Sequence, residues 1–214
     1  MKRLTAVVLF FLGVSLSPKA PAQGTLQVSN LGQTPTTKTQ VGSDSWIAQS
    51  FSVGSLDPTV YQLDAVQLLM DPESGNPSGF SVSIYDNPNL SSMIPLNFLG
   101  SLTGPAPSAG GVFTYTTSGI TITAGAAYFV VVTAATPVAQ GSYIWSAYTG
   151  GDTVGGTWSI DDVYASSSNG STWTGHLRQN VFQMALYTTP TPEPGTLALA
   201  GFGLACLGFY RRRK

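Results

Sequence analysis

The stretch Phe80-Ser81-Val82-Ser83-Ile84-Tyr85 decides the fold. Apolar and hydroxyl side chains alternate through it, which is the period of a strand. Phe80, Val82 and Ile84 therefore share one face, and Ser81 and Ser83 the other. A helix would scatter the same residues around its axis. Working outward, Phe113-Thr114-Tyr115-Thr116 and Ile120-Thr121-Ile122-Thr123 repeat the alternation. Residues 126–133 form a continuous apolar run suited to a central strand. Residues 181–187 alternate again and send Phe182, Met184 and Leu186 inward. Further strands are predicted at 46–53, 61–70, 143–148 and 157–160. Clusters rich in Gly, Pro, Asn and Ser punctuate them at 71–77, 104–111 and 166–171. No amphipathic helix of useful length lies between. About nine or ten strands in one domain predict an all-β fold, a two-sheet, jelly-roll-like β-sandwich over residues 23–190.

The two ends have a different character. Lys2 and Arg3 precede an apolar run from Leu4 to Leu16, and Pro18 then stops any helix. Ala20 and Ala22 place small side chains where a signal peptidase reads, so residues 1–22 are predicted to be a secretory signal cut after Ala22. At the other end, residues 197–210 are a fourteen-residue apolar run. As a helix this run spans about 21 Å, short of the roughly 30 Å hydrocarbon core of a bilayer. Arg211, Arg212, Arg213 and Lys214 resist translocation and would keep the extreme terminus in the cytoplasm. Pro192 and Pro194 hold the segment before the run extended, with Glu193 between them. An extended peptide outside a short apolar helix is what a membrane protease can accept. Residues 191–214 are predicted to be a processing signal that ties the chain to the inner membrane until it is cut.

In their order, Pro192-Glu193-Pro194, Thr196, Ala198-Leu199, a glycine-bearing apolar stretch and a basic cluster resemble the PEP-CTERM sorting signal. Gly195 is a departure, since the family more often has Ser or Thr there. The resemblance covers about the last two dozen residues. It implies recognition by an exosortase-type membrane protease and a final place in the cell envelope or outside the cell. The body resembles the choice-of-anchor domains, the R type in particular, at Trp46-Ile47-Ala48-Gln49-Ser50-Phe51, Tyr61-Gln62-Leu63-Asp64-Ala65-Val66 and residues 80–86. That resemblance implies a domain carried by proteins with different surface anchors, and no activity.

Charge separates the body from its ends. Residues 23–190 hold two cations, Lys38 and Arg178, against nine acids, a net charge of −7. Such a surface disfavours nucleic acid and anionic lipid. The one cysteine, Cys206, lies in the terminal apolar run, so the body must stand on its core without disulfides.

The residues point away from catalysis. His176 is the only histidine, and no G-x-S-x-G elbow is present. Adjacent Asp161 and Asp162 should point to opposite faces of a strand and so cannot pair with each other as glycosidase carboxylates do; Asp152 or Asp71 could partner either. The chain is expected not to be an enzyme and to need no cofactor. Asp71, Glu73 and Asp86 set oxygen ligands on predicted loops and are candidates for a structural calcium. Trp145, Tyr148 and Trp173 are candidate glycan contacts, with Trp173 in a polar loop the foremost, because aromatic faces stack on sugar rings. The expected role is structural or adhesive, among exopolysaccharide; a carbohydrate-binding module with an aromatic platform around Trp173 is the alternative.

Overall fold

A computed structural model describes residues 24–57, 59–89 and 92–191. The predicted signal peptide and most of the sorting segment, including Pro192 to Lys214, lie outside these residues. The described residues form strands and connections, with no helix long and apolar enough to cross a membrane.

Two seven-stranded antiparallel sheets stack face to face. Sheet one contains β1 (Thr25–Ser29), β2 (Thr37–Val41), β4 (Tyr61–Gly75), β7 (Gly111–Ile122), β9 (Gly141–Tyr148), β13 (Val181–Phe182) and β14 (Met184–Pro190). Sheet two contains β3 (Trp46–Val53), β5 (Ser81–Asn87), β6 (Asn97–Leu102), β8 (Ala127–Thr133), β10 (Thr153–Gly155), β11 (Trp158–Ser167) and β12 (Thr174–Leu177). In sheet two β11, β3, β8 and β5 run side by side, while β10 and β12 share the outer edge of β11.

The apolar residues of the alternating stretches meet between the sheets. Val82 and Ile84 are buried there and Phe80 packs beside them. Residues Tyr128, Val130 and Val132 of β8 face the same core, while Phe129 and Val131 face out, so β8 is buried on both sides as a central strand should be. Trp158 stacks on Phe51 at 6.3 Å and meets Tyr61 edge-on at 5.1 Å.

Three predicted boundaries move. Residues 71–75 belong to β4 instead of a turn. The pairings Asp71–Ile144 and Ser74–Ser142 leave one extra residue in β4, a bulge that takes up Pro72, which has no N–H for the ladder. The two stretches at 113 and 120 join as β7, where Thr116 pairs with Thr103 outside the ladder and Ile120 resumes against Leu63. The strand predicted at 157–160 continues through Ser167 as β11. At the other end of the sandwich, β14 pairs Pro190 with Tyr61, and the Thr191 amide donates to the Val60 carbonyl at 2.8 Å.

Candidate functional site

The feature of this sandwich with the richest chemistry is a cavity of about 260 Å³ on the outer face of sheet two. It forms because β11 is interrupted. Ile160 pairs with Phe51 and Tyr164 with Gln49, so three residues of β11 stand against one of β3. The extra residues bulge out of the ladder at 161–163. Backbone groups displaced in this way need other partners.

Gln49 supplies most of them. Its side chain points inward and is fully buried, where the alternation of β3 would place an apolar residue. Its Nε2 donates to the carbonyls of Asp161 at 2.7 Å and Val163 at 3.0 Å. Its Oε1 accepts the amide of Phe182 from sheet one at 2.8 Å. One amide therefore holds the bulge open and ties the two sheets together. On the outer edge, the gap between β10 and β12 is closed by two more bonds. The Asp162 amide donates to Asp152 Oδ1 at 2.6 Å, and the Arg178 amide donates to the Asp162 carbonyl at 2.9 Å. Arg178 does this with φ at 57°, the left-handed region that non-glycine residues rarely occupy.

The bulge sets the surroundings of the adjacent carboxylates. Asp161, Asp162 and Asp152 all contribute to the cavity lining; the Asp161 carboxylate meets the serines of β3, and the Asp162 carboxylate meets Arg178. The cross-strand neighbours Ser50–Phe129 and Ser52–Ala127 lie beneath it. Asp161 accepts the Ser52 hydroxyl at 3.0 Å on one oxygen and the Ser50 hydroxyl at 3.1 Å on the other. Burial nonetheless pushes its carboxyl above the usual range, with the charge of Asp152 adding to the effect and the hydroxyls of Ser159, Ser52 and Ser50 opposing it. Asp162 is also pushed up, by burial and then Asp152, while Arg178, whose Nε stands 3.7 Å away, pulls it back.

Residues 92–94, a strap that leads into β6, cover part of this face. Ile94 joins Ala48, Phe129, Val131 and Ala165 in a second apolar cluster, with Trp46, Tyr85 and Trp173 around it. Ser92 and Met93 of the strap line the cavity. The strap reaches β12 at Gly175, where a Cβ would lie 2.8 Å from the Met93 carbonyl oxygen; only glycine allows that approach.

The candidate glycan residues do not make a common platform. Trp145 is fully buried between the sheets, tilted against Phe182, with its indole N–H on the Gln183 carbonyl. Tyr148 is buried too, its hydroxyl bonded to the Gly151 carbonyl and Thr153. Sandwich cores consume large aromatic residues, and both of these belong to the main core cluster. Trp173 is half-buried and meets Trp46 edge-on at 6.4 Å, so it caps the second cluster. The calcium candidates are also spread out. Asp71 and Glu73 lie in β4 of sheet one, Asp71 with Lys38 at 3.9 Å, whereas Asp86 lies in β5 of sheet two and accepts from Asn97. Among the described residues, no three His, Cys, Asp or Glu side chains are grouped to hold a metal ion. His176 stacks on Tyr164 at 4.4 Å and shares a hydrogen bond with Ser166 at 3.0 Å.

Sequence reading did not single out Gln49, Ser50, Ser52 or the role of Asp152. The available signal was Gln49 itself, a long amide at an inward position of an otherwise regular strand.

No curated protein and no solved structure matches the chain. One family does match, over residues 190–214, which take up directly where β14 ends. Those residues are a PEP-CTERM protein-sorting motif, and it marks the chain for export to the cell envelope or surface, with a C-terminal membrane anchor before processing by an exosortase.

Proposed function

We propose that the sandwich is a non-enzymatic structural or adhesive domain, placed by its sorting motif at the cell surface or in the matrix around it. The observation that carries this reading is the motif itself, joined without a spacer to an all-β body. The net charge of −7 over residues 23–190 suits a body that stays soluble and apart from anionic membrane lipid. Glu193, as one acid between two prolines, is the recognition element for the sorting enzyme in this scheme, and residues 1–22 direct export. The choice-of-anchor resemblance of the body fits the same scheme, since such domains accompany surface anchors.

Two measurements test it. Replacing Pro192-Glu193-Pro194 by three alanines should leave the tail uncut, as followed by mass spectrometry; normal tail removal would refute the recognition role. Cells lacking the chain should show a matrix that disperses more readily under shear. Unchanged cohesion would remove the adhesive role while leaving the sorting assignment intact.

A further inference from the structure

We infer that the cavity at the β11 bulge is a binding site for a single sugar ring, held by hydroxyl donation to Asp161 and by apolar contact with the strap. The inference rests on the reading of the body as an adhesive domain at the cell surface or in its matrix, and it moves the expected glycan contact away from the aromatic residues.

The cavity's size sets the first limit. At about 260 Å³ it lies just below the ~300–1,000 Å³ of drug-sized ligand pockets, so it suits one ring in place of a chain. Its lining sets the second. A sugar ring presents hydroxyls at its edge and C–H groups on its faces. The cavity lining offers acceptor and hydroxyl groups, from Asp161, Asp152 and Ser92, together with apolar side chains, Met93 and Val163. Asp161 has capacity to spare. An ionised carboxylate accepts at about four lone-pair positions, and the serines at 50, 52 and 159 occupy three of them. The serines also fix the carboxylate in place before any ligand arrives, so little ordering remains to be done on binding.

The other ligands that fit a carboxylate are less well served. A metal ion would want three or more ligating side chains drawn together, and the acids of this cavity, like the other described residues, do not form such a group. An ammonium ligand would leave the Met93 and Val163 surface unused and would compete with Arg178 for Asp162.

The test titrates the full chain, in a zwitterionic detergent without a sugar head group, with D-glucose, D-galactose and D-mannose, read by saturation-transfer NMR. At least one hexose should bind saturably with a millimolar dissociation constant, as expected for so small a ligand. Asp161→Asn should weaken it at least about tenfold, as for loss of a charged hydrogen bond. Met93→Ala should weaken it less, and Trp173→Ala should leave it unchanged. Thermal unfolding run in parallel shows that each variant is folded, and Ser52→Ala serves as a second floor variant should Asp161→Asn fold poorly. Failure of all three sugars to saturate would overturn the site. So would binding that survives Asp161→Asn, binding lost only in Trp173→Ala, or equal binding of ethanolamine. Calcium chloride that stabilises the wild type but not Asp161→Asn, without sugar binding, would make it a cation site. The shear measurement on cells reads the adhesive role independently, so loss of the sugar site and loss of that role are distinguishable.

Discussion

Asp57 and Asp161 are both held by hydroxyl groups, and their proton affinities move in opposite directions. Asp57 sits in the connection between β3 and β4, where it accepts the Thr157 hydroxyl at 2.7 Å, the Thr59 amide at 2.9 Å and the Tyr61 hydroxyl at 2.9 Å. The Thr157 and Thr59 bonds lead in lowering its pKa to about 2. Asp161 has a comparable set of donors, yet burial outweighs them and Asp152 adds repulsion. Hydrogen bonds favour the charged form in both; what differs is the water each has given up. Asp57 is a pin that stitches a loop to the Gly155–Trp158 turn. Asp161 is a charge the fold tolerates at a cost, which is how groups at binding sites often look.

The sharpest way to break this contrast is to remove what holds the bulge. Gln49→Leu leaves the Asp161 and Val163 carbonyls and the Phe182 amide without their partner, and each buried orphan costs about 1–3 kcal/mol. Urea denaturation should show a loss of roughly 3 kcal/mol or more. Gly175→Ala comes next. The new methyl meets the Met93 backbone, and displacing the strap should cost about 1–3 kcal/mol, as overpacking does. Altered Trp173 fluorescence would show that the strap has shifted, and wild-type stability would mean that the contact relaxes without effect.

The two acids should then part company. Asp57→Ala should lose up to about 1 kcal/mol at neutral pH, because solvent screens much of what its charge-assisted bonds contribute. Because its folded pKa is depressed, this stabilisation is present above the ordinary carboxylate value of about 4 and fades as pH falls through about 2. Urea midpoints of wild type and Asp57→Ala should therefore converge in strong acid. Asp161→Asn should show the smallest effect and the reverse sign, a gain of less than about 1 kcal/mol at neutral pH. A raised folded pKa means that the wild type is unpenalised below about pH 4 and loses stability as Asp161 ionises above it. A destabilised Asp161→Asn at pH 7 would show that its serine bonds outweigh its burial.

The sequence carried the fold wherever burial left a period in it. Strands β3, β5, β8 and β9 put large apolar residues inward on alternate positions, and their existence could be read directly. Strands β2, β6 and β12 could not, because Thr37–Val41, Asn97–Leu102 and Thr174–Leu177 each bury at most one residue. Such strands are held by pairing with a neighbour, and pairing leaves no hydrophobic trace. The candidate site was less legible still. Its geometry comes from a mismatch in register between β3 and β11, which depends on two strands over 100 residues apart and on one amide that spans the sheets. Period-two reasoning assumes an unbroken ladder, so it carried no sign of the interruption at 161–163.

The shared residue Pro190 has a mechanical consequence. It is the last paired residue of β14 and the first of the sorting motif, and four residues of chain reach at most about 14 Å. An enzyme gripping Pro192-Glu193-Pro194 must therefore work against the flank of the finished body, with almost no slack between them. Severed there, the product would carry off hardly any loose chain; joined to something new there, it would stand upright and close to its support, more like a tile than a kite on a string.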